Sequence, residues 1–75
     1  MNITQAIEKG RLCLSESDSP VTDSRYMLCY VLACTTTYLH TWPEKKLSEQ
    51  QGTDYEALLF KRKKGMPVAY LIGQQ

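Results

Sequence analysis

Few side chains in this 75-residue chain have the types and spacing that chemistry needs. His40 is the single histidine, and no carboxylate near it suggests a catalytic pair, so it reads as a surface or partly packed imidazole. Three cysteines, Cys13, Cys29 and Cys34, cannot all pair, and Cys29 and Cys34 read as too close on one helix to bridge. No Cys-x-x-Cys occurs, so a zinc site lacks ligands, and reduced, buried cysteines of a cytosolic protein are expected. Ser15, Ser17, Ser19 and Ser24 have no nucleophile context, and no glycine-rich loop follows a strand to cradle a nucleotide. Lys61-Arg62-Lys63-Lys64 is the one charge cluster. It admits two readings: a contact for phosphate or an acidic protein surface, or a solvated helix end whose cations complement the dipole. The near-balanced net charge of +1 favours the second, and argues against a general polyanion binder. Lys61, Lys63 and Lys64 stay as candidate partner contacts. No group of residues here carries a reaction unaided.

The elements that would position these groups are legible. Tyr26 to Cys34 runs nine residues without a charge, roughly half of the ~20 a membrane span needs, so a buried core segment is the better reading. Ser19 can cap it, Pro20 suits a first helical position, and Asp23 sits near the positive end of the dipole. A helix over Pro20–Cys34, apolar on nearly every side, is therefore expected at the centre of the fold. The N-terminus lacks a basic region followed by a long apolar core, so no secretory signal is read there.

Around that helix, Ile3, Ile7 and Leu14 recur with helical period beside Ala6, Gly10 and Cys13, and Asn2 with Gln5 fits a capping box. Gly10 costs about 1 kcal/mol against alanine inside a helix; close approach to the central helix, or simple tolerance, would each explain it. Ser15–Ser19 is a connection short enough to make the first two helices antiparallel neighbours. One or two turns are expected over Thr37–Trp42, stopped by Pro43. Tyr38, Leu39 and Trp42 read as closing one side of the core, with an exposed aromatic platform as the sharper alternative. Ser48 and Gln51 match a second capping box for a helix from Glu49 to about Lys64, apolar at Tyr55, Leu58, Leu59 and the stem of Arg62. Gly65 suits a left-handed cap, and Pro67 to Ile72 reads as a short helix closed by Gly73. The fold class is all-α: four to five short helices in one domain, without strands.

The C-terminal stretch Lys61 to Gly73 resembles a signature of the release-factor glutamine methyltransferases, the HemK-type enzymes. Arg62, Gly65, Pro67, Val68, Ala69, Tyr70 and Gly73 match it, and Met66 stands where an acidic residue is common. Ser19-Pro20 with Asp23 and Leu28 is similar to a second motif, in which Ser24 replaces alanine, Arg25 an acid and Met27 a leucine. The resemblance covers essentially the whole chain. It implies a cytoplasmic enzyme that transfers a methyl group from S-adenosylmethionine to the glutamine amide of the Gly-Gly-Gln motif in class-I peptide chain release factors. It also implies that residues 1–75 are the N-terminal recognition domain alone, without the methyltransferase domain. The family's glycine-rich cofactor loop and Asn-Pro-Pro-Tyr motif do not occur here, so no catalytic, cofactor or metal residue is carried over. Asp23, Leu28, Arg62, Gly65, Pro67, Ala69, Tyr70 and Gly73 are expected to be structural, Ala69 by close packing and Tyr70 as a core aromatic, with Asp23 and Arg62 paired. The protein substrate is the implied partner, with no nucleic acid or membrane. A free-standing helical adaptor is the alternative.

Overall fold

The first helix, α1 (Ile3–Cys13), starts where its own side chains dictate. Asn2 Oδ1 accepts from the Gln5 amide at 2.8 Å, and Gln5 Oε1 accepts from the Asn2 amide at 2.9 Å, the reciprocal capping box. Two more first-turn donors find distant carbonyls: Ile3 N–H donates to Lys45 O and Thr4 N–H to Pro43 O, both at 3.0 Å. Leu47 N–H donates to Met1 O at 2.9 Å. The 43–47 segment is thus strapped across the start of α1 and satisfies amides that a helix N-terminus otherwise leaves orphaned. These details come from a computed structural model that describes residues 1–73.

Helix α2 (Pro20–Leu32) packs against all four other helices. It differs from expectation in three ways. It ends at Leu32 rather than Cys34, because Ala33 turns left-handed (φ 53°, ψ 48°) and Cys34 N–H folds back onto Cys29 O at 3.0 Å. Ser19 makes no side-chain cap. Nor is the helix enclosed: Ser24, Met27 and Leu28 are buried, while Tyr26 and Tyr30 are 51% and 56% exposed. The short neighbouring helices cover one side of α2, and tyrosine tolerates the other by wetting its hydroxyl.

Helix α3 (Thr36–Thr41) is capped by Thr35, whose hydroxyl accepts from the Tyr38 amide at 3.2 Å. Leu39 is buried, but Trp42 lies past the helix end and is 56% exposed, so it does not close the core. Helix α4 (Glu49–Lys63) opens on the second capping box, Ser48 with Gln51, and buries Tyr55 and Leu59. Gly65 (φ 105°) and Gly73 (φ 71°) take left-handed conformations that suit glycine. Between them, α5 (Val68–Leu71) follows Pro67 as its N-cap. Val68, Leu71 and Ile72 take the side of α5 that meets the core. Ala69 and Tyr70 therefore point outward, Tyr70 75% exposed, which corrects their expected packing roles.

The core joins α1 to α4 through Ile3, Ala6, Leu14, Met27, Leu28, Leu39, Tyr55 and Leu59. Among the described residues the fold is all-α, with five helices and one isolated bridge, Asn2 to Lys46. No helix is long and apolar enough to cross a membrane.

Candidate functional site

The α2–α4 junction holds the family-motif charges. Arg62, in the last turn of α4, places Nε 3.1 Å from Asp23 Oδ2 in the first turn of α2. Ser17 Oγ donates to the same carboxylate oxygen at 2.9 Å and accepts from Arg62 Nη2 at 3.4 Å. The pair is mostly shielded, with 26% and 15% of the two side chains exposed. It ties two helices and the 14–19 connection into one unit. Both bonds converge on Asp23 Oδ2 and come from groups that join the elements of the fold, so the arrangement is a strut rather than a reactive acid.

A second polar contact lies inside the α1–α2–α4 crossing. Tyr55 Oη donates to Ala6 O at 2.6 Å, and Ser24 Oγ donates to Pro20 O at 2.7 Å. Both side chains meet at Gly10, where a Cβ would lie only 2.0 Å from Ser24 Oγ and 2.6 Å from Tyr55 Oη. Close helix approach is thus the reason for glycine here. Burial pushes the Tyr55 phenol up to about 12, with the neighbouring Ser24 hydroxyl opposing. It stays neutral and structural at physiological pH.

The exposed end of α4 is chemically different. Lys61, Lys63 and Lys64 are all exposed, and Lys64 Nζ sits 4.4 Å from the centroid of the Phe60 ring. Phe60 itself is 58% exposed. Lys9 of α1 pairs with Glu56 of α4. An open hollow of about 430 Å³ is lined here by Cys13, Leu59 and Phe60 together with the Lys9–Glu56 pair, Lys63 and Lys64, and Lys61 lies outside it. With Lys9 already matched by Glu56, Lys63 and Lys64 beside the apolar side chains suit a protein surface that offers carboxylates beside an apolar side chain. Sequence reasoning named the lysines and missed Phe60. Its signal was present: it is an aromatic one position beyond the buried Leu59, four residues before Lys64.

The motif residues divide accordingly. Asp23, Leu28, Arg62, Gly65, Pro67 and Gly73 sit in the core, the strut or the helix ends. Ala69 and Tyr70 belong to the outer surface of α5. Among the described residues, no three or more of His, Cys, Asp and Glu gather where they could hold a metal ion.

Comparison with known proteins identifies the family. The profile of the PrmC N-terminal domain matches residues 5–73. The release factor glutamine methyltransferase of Aliivibrio fischeri is 45% identical over 62 residues, covering 83% of this chain and 22% of that protein. That of Vibrio cholerae is 44% identical over 61 residues, covering 81% of this chain and 21% of that protein. That of Shewanella oneidensis is 36% identical over 74 residues, covering 97% of this chain and 26% of that protein. The chain thus spans about a quarter or less of the length of these relatives. No solved structure matches it significantly. With the family profile matched over nearly its whole length, on a bundle whose ends and strut are built by the motif residues, the chain belongs to the PrmC N-terminal domain family.

Proposed function

We propose that this chain is the substrate-recognition domain of a release factor glutamine methyltransferase. The whole enzyme would transfer a methyl group from S-adenosylmethionine to the side-chain amide nitrogen of the glutamine in the Gly-Gly-Gln motif of class-I release factors. The observation that carries the reading is the family match over residues 5–73, joined to the names of the relatives. The geometry supports a positioning role. The interior is closed by apolar packing and an ion-paired strut, while the outer surface presents Phe60, Tyr70 and the lysines of α4. Contacts made far from the reacting atom accelerate a reaction by holding the substrate in a productive pose. S-adenosylmethionine would supply the methyl group when bound to the rest of the enzyme. Residues 1–73 would hold and orient the protein substrate.

The test uses the whole enzyme, purified class-I release factor and a labelled methyl donor. Label on the Gly-Gly-Gln glutamine is expected. Replacing Lys61, Lys63 and Lys64 together with glutamate is expected to raise KM for the release factor severalfold while kcat holds, the signature of lost binding that is uniform along the reaction. An enzyme that leaves the release factor unmethylated overturns the reading. Methylation with an unchanged KM removes the lysines from the contact surface.

A further inference from the structure

Cys29 and Cys34 are five residues apart, and a continuous helix would keep their thiols apart. The left-handed Ala33 ends that helix (φ 53°, ψ 48°). Cys34 N–H then donates to Cys29 O at 3.0 Å, and Ala33 N–H to Tyr30 O at 3.3 Å. This pair of bonds is the Schellman motif, whose first and last residues bring their side chains into contact. That turn brings the Cys34 side chain back toward Cys29, and both cysteines pack at the edge of the core. Both residues are half-buried and reduced. Cys34 also lines an open hollow of about 380 Å³ with Ala33, Tyr38, Lys45, Lys46 and Gln51.

We propose that Cys29 and Cys34 form a dithiol that small-molecule disulfides convert to an intramolecular disulfide, closing the C-terminal turn of α2. The step is thiol–disulfide exchange. The Cys34 thiolate attacks one sulfur of the small disulfide; a mixed disulfide forms as the original S–S bond breaks. The Cys29 thiolate then attacks Cys34 Sγ and expels the second small thiol. Two protein thiols are oxidised, one disulfide is reduced to two thiols, and the two thiol protons pass to the leaving groups. Cys34 reacts first because it lines the open hollow. Cys29 is the resolving thiol: burial, then the charge of a neighbouring Cys34 thiolate, push it up to about 11. With burial raising both thiols, exchange at neutral pH is slow, which fits a response to sustained oxidation.

Oxidised glutathione is the probe, with thiol counting in denaturant, intact mass and peptide mapping as readouts. The free thiols are expected to fall from three to one, with the protein monomeric, its mass lower by the two thiol hydrogens, and a peptide joining Cys29 to Cys34. Cys13→Ser is expected to form the same bridge. Cys29→Ser is expected to stop at a lasting mixed disulfide on Cys34. Three thiols surviving in the wild-type protein, a bridge that uses Cys13, or glutathione retained on wild-type Cys34 would each overturn the proposal.

Discussion

Alanine at position 10 should destabilise the bundle, although alanine is the better helix former. Inside an unconstrained helix, Gly→Ala gains about 1 kcal/mol. Here the added Cβ would lie 2.0 Å from Ser24 Oγ, 2.6 Å from Ser24 Cβ and 2.6 Å from Tyr55 Oη. The Ser24 hydroxyl can rotate away, but Ser24 Cβ is fixed to the α2 backbone. The Tyr55 hydroxyl is held on Ala6 O by a 2.6 Å hydrogen bond. So α1 and α2 must separate, or Tyr55 must leave its partner. Overpacking costs about 1–3 kcal/mol and occasionally more, and simultaneous contacts with two anchored groups put this site near the top of that range. Subtracting the propensity gain leaves a net loss of about 2 kcal/mol. A domain this small holds only about 3–5 kcal/mol in its core, so the loss is a large fraction of the total. Urea unfolding followed by far-ultraviolet circular dichroism is the assay, with the midpoint compared at constant slope. Adding Ser24→Ala should restore only part of the midpoint, because its Cβ remains. A Gly10→Ala protein as stable as its parent would refute the close crossing.

Three further outcomes are expected. Leu28→Ala, at a fully buried position of α2, should cost about 2–5 kcal/mol; an unchanged urea midpoint would remove α2 from the core. A double-mutant cycle on Asp23→Asn and Arg62→Met should return a coupling of about 1–2 kcal/mol, above the range of exposed ion pairs because the pair is shielded; a value near zero would make the strut inert. Tyr55 is held neutral, its phenol raised to about 12 against an unfolded value near 10. The neutral folded form is favoured, so this stabilisation is complete below about pH 10 and disappears as pH rises through about 12, a loss of up to about 3 kcal/mol. Tyr55→Phe should lack that alkaline decline, and identical declines in both proteins would contradict the assignment.

Local rules made much of the fold legible. Both capping boxes, the left-handed Gly65 and Gly73 and the proline before α5 involve residues within four positions of one another, so they follow from neighbours in the chain. The pairing of Asp23 with Arg62 was legible only through the shared motifs, since 39 residues separate the partners. The exposure of Tyr26, Tyr30, Trp42 and Tyr70 was not legible. Apolar content states what a helix can bury, whereas the placement of its neighbours decides which side is buried.

Gly10 and the cysteines mark the same boundary. The sequence alone left Gly10 open between tolerance and close approach, and only the arrival of Ser24 and Tyr55 from two other helices decides it. It placed Cys29 and Cys34 on one helix, and a single left-handed residue, Ala33, changed their relation. Helix type and most helix starts are thus set by short-range hydrogen bonding, written in adjacent residues. The last turn of α2, its wet face, the strap at 43–47 and the return of Cys34 toward Cys29 depend on contacts or backbone choices that no local pattern specifies.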